Sequence, residues 1–329
     1  MRKFLIVLFS FVIITAFGIT ASAFDDMPDN WATPALKSAV ENGLLTGDGN
    51  LLKPDDYITR AQMSAVMVRA FGAVEEKDLS EFTDVSKSAW YYSYLARAYQ
   101  MNIFLGDGAG HMTPNDCVTR EQAFTVLSRV LCLKDGNAVS LEKFDDFALV
   151  SEWAKGAVSA MVENGYVNGS NGRLDPKSYI TRAQFAQLMY NVFSLYIDSA
   201  TDLAKLDDVK GNVVLRCALP LENISFEHDI VIGDGVSSPL GFLPFKDVSV
   251  TGRIVVRAGI CLDFDGKAGE IVSNTENVKL ILSKDSVVSD ISLSGLNSSI
   301  QKEADDVTTL PETPPVDSDE EEDLWTDFH

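Results

Sequence analysis

One five-residue string, written three times, constrains the fold more than any other feature of this chain. The copies are Ile58–Gln62, Val118–Gln122 and Ile180–Gln184, and their starts lie 60 and 62 residues apart. In each copy Thr stands three positions before Gln, which is the capping-box pattern of a helix N-terminus. Apolar residues at helical spacing follow every copy. The sequence therefore predicts three repeats, each with a helix that begins at this string.

Other anchors recur in a fixed order around each string. A Phe-x-Asp triplet opens each unit, and a Trp, a Gly turn and a Pro follow, the Pro always five residues before the capping Thr. In chain order the anchors are Phe24, Asp26, Trp31, Gly47 and Pro54; Phe82, Asp84, Trp90, Gly106 and Pro114; and Phe144, Asp146, Trp153, Gly169 and Pro176. An apolar stripe after the Trp predicts another helix in each unit, beginning near the Trp. Because two short amphipathic helices cannot bury their own apolar faces, we expect the three units to share one core.

The helix that follows each Trp should stop at a residue suited to the left-handed conformation. Gly43 and Gly165 occupy that position in two units, and Asn102 occupies it in the other. Gly and Asn adopt this conformation more readily than other residues. The aspartates of the three Phe-x-Asp triplets are expected to act as caps or turn acceptors rather than as catalytic acids.

From residue 206 to about residue 300 the pattern is alternating instead of helical. Short β-branched runs are separated by Gly, Asp, Asn and Ser. The runs are Val213–Leu215, Ile230–Ile232, Val248–Val250, Ile254–Val256, Val278–Leu282 and Ile291–Leu293. We expect an all-β domain of residues 206–300, for which a parallel β-helix and a small β-sandwich are both compatible with the pattern.

Both ends of the chain have distinctive compositions. Residues 1–23 combine a charged start, an apolar run and Ala21-Ser22-Ala23, which predicts a secretory signal peptide; a permanent membrane anchor is the alternative. Residues 301–329 hold eleven acidic residues against one lysine, together with three prolines, which favours a disordered acidic tail. The net charge of −21 argues against nucleic acid or an anionic membrane surface as a partner.

With these anchors in place, the three units, residues 24–73, 82–133 and 144–195, resemble S-layer homology (SLH) repeats. The resemblance implies a pseudo-threefold helical trimer that binds cell-wall polysaccharide on the outside of bacteria, commonly a secondary polymer bearing pyruvate ketals. Rungs similar to those of residues 206–300 follow SLH repeats in some bacterial surface proteins, which favours the parallel β-helix. The expected fold class is α+β and multidomain.

Each string also places an arginine at the first position of its helix: Arg60, Arg120 and Arg182. A guanidinium there lies beside free backbone N–H groups and the positive end of the helix dipole, where an anion is favoured. Since a guanidinium binds a carboxylate bidentately, we expect these arginines to bind the ketal carboxylate. Surface residues in ion pairs are the alternative. Glu121, where the other copies have Ala, is expected to weaken anion binding in the second unit.

The remaining candidate ligand-binding residues are Trp31, Trp90, Trp153, Gly47, Gly106 and Gly169. For the tryptophans, core packing is favoured over a role as sugar platforms, because each stands at the start of an apolar stripe. For the glycines, a role in the turn is favoured, with close approach of a sugar to the backbone as the alternative.

No catalytic residue, metal site or cofactor is expected. The three histidines stand in no hydrolase or metalloprotease motif, and the four cysteines lack metal-ligand spacing; a Cys117–Cys132 disulfide is not implied. The expected function is that of a noncatalytic cell-surface protein anchored to the wall, with wall polysaccharide and other surface-layer proteins as partners. The alternative is a wall-attached polysaccharide-degrading enzyme, whose β domain would hold two carboxylates in a groove.

Overall fold

The computed structural model describes residues 24–302 and the backbone of residues 307–309. The predicted signal peptide, residues 1–23, and most of the predicted acidic tail lie outside the described residues. The α-helices of the described part are α1 (Thr33–Glu41), α2 (Arg60–Phe71), α3 (Tyr92–Gln100), α4 (Arg120–Val130), α5 (Glu152–Glu163) and α6 (Arg182–Val192). Short 3-10 helices cover Ala138–Leu141, Phe147–Leu149 and Ala200–Asp208.

Ten β-strands follow in the described part of the chain. They are β1 (Phe193–Ile197), β2 (Asn212–Leu215), β3 (Leu221–Phe226), β4 (Ile230–Ile232), β5 (Leu243–Val256), β6 (Cys261–Ser273), β7 (Lys279–Leu282), β8 (Val287–Leu293), β9 (Ser299–Lys302) and β10 (Val307–Thr309). Strand structure therefore begins directly after α6, upstream of residue 206, and continues past residue 300.

The repeated string forms a capping box in every unit. The Thr59 hydroxyl accepts a hydrogen bond from the Gln62 N–H, and the Gln62 side chain accepts one from the Thr59 N–H at 3.1 Å. The same pair of bonds joins Thr119 to Gln122 and Thr181 to Gln184. The predicted starts of α2, α4 and α6 are thus confirmed, each with its arginine at the first helical position.

A closed ring of backbone hydrogen bonds joins the three units. The N–H of Ile58 donates to the carbonyl of Ile180, that of Ile180 to Val118, and that of Val118 back to Ile58, at 2.9 to 3.0 Å. Each unit therefore makes the same contact with the next, which is the pseudo-threefold arrangement expected. Apolar residues of all three units meet in one core, as the repeat pattern predicted. A smaller separate cluster lies in and just before the second unit; it holds Leu79, Phe82, Leu95, Ala96 and Met112.

The first helix of each unit begins near its tryptophan and ends as expected. Helices α1 and α3 begin two residues after Trp31 and Trp90, whereas α5 begins one residue before Trp153. Pro34 occupies the second position of α1, and the helix begins at Thr33, close to Trp31 as predicted. Beyond the helix ends, Gly43, Asn102 and Gly165 have φ values of 69°, 56° and 73°, so the predicted left-handed residues are confirmed.

The strands form a parallel β-solenoid, which confirms the predicted β-helix and excludes the sandwich. One face runs through β1, β2, β4, the end of β5, the end of β6 and β8, all parallel. A second face runs through β3, the start of β5, the start of β6, β7 and β9, also parallel. Only β10 runs antiparallel among the described strands, against β9.

The solenoid packs directly on the helical units. One side chain from each of the first five strands of the first face points out of the solenoid and into the helical core. These side chains, which lie opposite one another in register, are Tyr196, Val214, Val231, Val255 and Val272. We call this set the outer ladder. Because both sides of the sheet are covered, its strands are apolar at almost every position, as is usual for parallel sheets.

Candidate functional site

The Phe-x-Asp triplet and the Gly turn fix the loop that precedes each capping box. In the first unit, the Asp26 carboxylate accepts hydrogen bonds from the N–H groups of Leu52 and Lys53, both at 2.7 Å. Asp84 and Asp146 make the equivalent bonds in the other units, at 2.7 to 2.9 Å. The aspartates are therefore turn acceptors, as predicted.

Burial alone would raise the pKa of Asp26, but the two backbone donors outweigh it and hold the pKa below its usual value. The pKa of Asp146 is lowered in the same way by the N–H groups of Leu174 and Asp175, with help from Arg173. Both carboxylates are therefore held in the charged form by the folded turn.

The turn glycines make room for the phenylalanines of the triplets. A Cβ at Gly47 would lie 2.1 Å from the Phe24 ring, and one at Gly106 would lie 2.6 Å from the ring of Phe82. At Gly169 the corresponding distance to the Phe144 ring is 2.7 Å. Real Cβ atoms do not approach so closely, so these positions require glycine for packing within the unit.

The three arginines each bind a backbone carbonyl of a neighbouring unit. The Nε of Arg60 donates to Met112 at 2.8 Å, that of Arg120 to Leu174 at 2.7 Å, and that of Arg182 to Leu52 at 2.8 Å. Each acceptor residue is the one whose N–H is bound by the aspartate of its own unit. The arginines therefore join the units, a structural role that the sequence did not predict.

Burial distinguishes Arg120 from the other two arginines. Arg60 is 5% exposed and Arg182 9%, whereas Arg120 is half-buried. Burial lowers the pKa of Arg60 to about 10, against the attraction of nearby aspartates. Arg182 is further held by a bond from Nη2 to the carbonyl of Thr46 at 3.0 Å. Arg120 is thus the most solvent-accessible of these three arginines.

The tryptophans do not all occupy the core. Trp31 is 59% exposed and Trp90 is 61% exposed, so the preference for core packing was wrong for both. Trp153 is half-buried and packs against the core. Trp31 and Trp90 lie before the first residues of α1 and α3, where their side chains are not on the buried stripe of the helix.

Trp31, Arg120 and Gly169 come together at one groove, although each belongs to a different unit. The groove has a volume of about 520 Å³. Phe124 of α4 and Tyr166, just after α5, also line it. Four amide side chains also line it; they are Asn168, Gln184, Gln187 and Asn191. We call this the unit-junction groove.

The lining of the unit-junction groove suits a carbohydrate that carries an acidic group. Exposed aromatic faces such as that of Trp31 offer apolar surface with little loss of side-chain freedom. Amide side chains both donate to and accept from hydroxyl groups. The Arg120 guanidinium adds a positive charge with several N–H donors, its Cζ lying 5.3 Å from the Phe124 ring.

Glu121, which follows Arg120, is buried and hydrogen-bonded to other residues of the protein. Its side chain is 3% exposed, and its carboxylate accepts bonds from the N–H and hydroxyl of Ser151, both at 3.0 Å. The Lys177 ammonium lies 2.7 Å from the same carboxylate. The negative charge is therefore compensated within the protein.

Sequence reasoning missed the partners that the trimer brings to Arg120. Tyr166, Asn168, Gln187 and Asn191 stand outside the five anchors, and only the arrangement of the units places them beside Arg120. The amide-rich composition of the α6 surface and the aromatic residue after Gly165 were the available signals.

All three helical units match a known protein family. The family model for the S-layer homology domain matches residues 23–64, 81–124 and 143–186. These segments contain the Phe-x-Asp triplets, the tryptophans and the capping boxes of all three units. The chain carries three S-layer homology domains. The third match ends within α6, before the first strand of the solenoid begins at Phe193.

Two kinds of relatives share the SLH region. The surface-layer 125 kDa protein of Lysinibacillus sphaericus is 33% identical over 185 residues, which are 55% of this chain and 15% of that protein. The S-layer protein sap of Bacillus anthracis is 24% identical over 202 residues, 60% of this chain and 24% of the relative. The exoglucanase XynX of Acetivibrio thermocellus is 30% identical over 175 residues, 51% of this chain and 16% of the enzyme. The chain thus spans less than a quarter of the length of these relatives.

SLH domains mark the chain as a secreted protein of the bacterial cell surface, with attachment to the cell wall as their role. Both S-layer proteins and glycoside hydrolases match through the SLH region alone. In the part of the chain that the structure describes, no helix is long and apolar enough to cross a membrane.

Proposed function

We propose that this protein is a noncatalytic surface protein whose SLH domains bind a cell-wall polysaccharide in the unit-junction groove. The observation that supports it most is the meeting of Trp31, Arg120 and Gly169, from three different units, in one groove. In this proposal a sugar ring lies against Trp31, and Arg120 binds a carboxylate of the polymer, such as that of a pyruvate ketal.

Arg120 is the principal carboxylate-binding residue in this proposal. Arg60 and Arg182 have the same position in their helices, but their greater burial and their bonds to carbonyls favour a structural role. A charge-assisted hydrogen bond contributes about 1.5 to 3 kcal/mol net, so one arginine is sufficient for a large effect on affinity. Glu121 leaves the site usable because Lys177 and Ser151 compensate it.

Binding to isolated cell walls tests the proposal. The chain of residues 24–329 should sediment with walls of the source bacterium, and Arg120→Lys should weaken the binding about 10-fold, because lysine keeps the charge but loses the fork. Trp31→Ala should weaken it similarly. Mild acid removes ketals from the walls. The parent protein should bind acid-treated walls as weakly as the Arg120→Lys variant binds untreated walls.

Two controls make the result specific. Arg97→Lys changes an arginine in an exposed ion pair with Glu76 and should bind as the parent does. Thermal melting of each variant separates lost binding from lost folding. Unchanged binding by Arg120→Lys and Trp31→Ala together would refute the proposed site.

The noncatalytic part of the proposal has its own test. The polysaccharide-degrading enzyme with its active site in the β domain is the competing function. In the cavity between the helical units and the solenoid, the carboxylate of Asp234 is bound by Arg257 at 2.8 and 3.0 Å, which favours a structural role. Incubation with wall polysaccharide, xylan and glucan should release no reducing ends, and their release would overturn this part of the proposal.

A further inference from the structure

Asn212, a residue of the solenoid, contacts Tyr166, one of the residues that line the unit-junction groove. The hydroxyl of Tyr166, whose ring lines the groove, accepts a hydrogen bond from Nδ2 of Asn212 at 2.8 Å. Asn212 is the first residue of β2 and is 3% exposed. Its Oδ1 in turn accepts from the N–H of Asp229 at 3.2 Å. Both the amide nitrogen and the amide oxygen of Asn212 are therefore hydrogen-bonded.

The same chain of bonds continues to Leu131, the residue that follows α4. The Asp229 carboxylate accepts from Nη2 and Nε of Arg253 at 2.6 and 3.0 Å. Nη1 of Arg253 donates to the carbonyl of Leu131, immediately after α4, at 3.1 Å. Since Arg120 and Phe124 of α4 line the groove, one network in the solenoid contacts two of the elements that border it.

The Tyr166 ring depends on this network for its orientation. Its backbone is fixed by the turn at Gly165 and by the bond from its N–H to Met161 at 3.0 Å, but these do not set the side-chain torsions. A half-buried phenol without a partner would lose hydration and gain nothing in return. The bond to Asn212 supplies the partner and selects one ring position.

The pairing is confined to one unit. Leu44 and Ile103 follow the left-handed residues of the other units as Tyr166 follows Gly165, and their N–H groups make the equivalent backbone bonds. Both are apolar and buried, at 2% and 1% exposure. The hydroxyl that meets the solenoid therefore occurs in the unit that contributes Gly169 to the groove.

We propose that Asn212 is a positioning residue for carbohydrate binding: it holds the Tyr166 ring against the groove, so that the affinity of the SLH region depends on the solenoid. This inference rests on the proposed function, in which the unit-junction groove binds the wall polysaccharide. The solenoid is in this view part of the binding apparatus and not a passive spacer.

A double-mutant cycle tests the inference. The chain of residues 24–329 is titrated calorimetrically with soluble polysaccharide released from isolated cell walls. Asn212→Ala and Tyr166→Phe should each weaken binding about 5-fold, the effect of one neutral hydrogen bond. The double variant should bind no more weakly than the weaker single variant, because both changes remove the same bond. A purely structural role would lower the melting temperature without changing affinity.

The controls separate the possible failures. Asn297→Ala removes an exposed amide contact to Asn277 elsewhere in the solenoid and should bind as the parent does. Folded Asn212→Ala with parental affinity overturns the inference, whether or not Tyr166→Phe binds weakly, since a direct contact between the hydroxyl and the sugar then explains the latter. If Trp31→Ala and Arg120→Lys also bind normally, the proposed groove itself is wrong.

Discussion

Gly235 of the solenoid lies against Gly72, the residue that follows the last residue of α2. A Cβ at Gly235 would stand 1.7 Å from the carbonyl oxygen of Gly72, and the Gly235 N–H donates to the carbonyl of Phe71 at 3.2 Å. The helix end and the solenoid turn are thus in backbone contact, with no side chain between them.

This contact leads to the first prediction. Gly235→Ala should destabilise the protein by about 3 kcal/mol, because a methyl group there meets backbone atoms that cannot rotate away. Urea denaturation of the parent and the variant measures the difference. Ser237→Ala, at an exposed position two residues on, is the control and should change stability little. Equal stability of Gly235→Ala would mean that the solenoid moves freely against α2.

Arg257, the residue after β5, joins the C-terminal ends of α3 and α4. Its guanidinium donates to the carbonyls of Val130 and Met101 at 3.2 and 3.0 Å and is paired with Asp234. Arg257→Met should destabilise by about 3 to 5 kcal/mol, since it leaves a buried carboxylate uncompensated. Arg257→Met with Asp234→Leu should recover part of the loss. Chemical denaturation measures all three proteins, and a double variant less stable than the single one would contradict this account.

The exposed pair Lys53–Asp48 provides the comparison for Arg257. Its ions lie 2.6 Å apart but are solvated, with side-chain exposures of 42% and 81%. Lys53→Met should therefore change the free energy of unfolding by less than about 1 kcal/mol.

Removal of the solenoid should damage the SLH region. A fragment of residues 24–192 exposes the helical side chains that cover the outer ladder and leaves helix ends without the arginines that bind them. We expect a lower melting temperature than that of residues 24–302 and binding of the dye ANS, which reports exposed apolar surface. A fragment that melts like the longer chain and binds no dye would show that the helical core is complete by itself.

Acid should weaken the turns before the capping boxes. The folded-state pKa values of Asp26 and Asp146 lie below the usual value of 3.8, so the stabilisation is present above about pH 4 and is lost as the pH falls through the lowered values. Asp146→Asn should reduce the dependence of stability on pH as the pH falls below about 4, because the lowered pKa of Asp146 lies in that range. Urea midpoints over that range measure it, and parallel curves for parent and variant would refute the assignment.

The sequence was sufficient for the repeats because their caps are local. A capping box needs only a Thr and a Gln at fixed spacing, so α2, α4 and α6 begin at the predicted residues. The trimer itself followed from the resemblance, since no local pattern specifies that Ile58, Val118 and Ile180 bond in a ring. The parallel pairing of the strands likewise depends on contacts distant in sequence.

The misplaced elements have equally physical reasons. Trp31 was assigned to the core because it precedes an apolar stripe, but the helix begins at Thr33 and leaves the indole outside. Strand β1 was missed because Phe193–Ile197 continues the apolar pattern of α6. Arg253 and Arg257 resemble solvated strand residues in sequence, and only the packed helix ends reveal their partners.

A surface protein is loaded mechanically as well as chemically. Because β1 follows α6 with no intervening residue, a pull on the last rungs of the solenoid reaches the wall-binding units without a compliant tether. The force is shared by the outer ladder and by six hydrogen bonds from Arg216, Arg253 and Arg257 to helix-end carbonyls. These hydrogen bonds must break at the same time when the solenoid is sheared against the helical units. The interface between them therefore resists shear more strongly than it would if one strand could separate at a time.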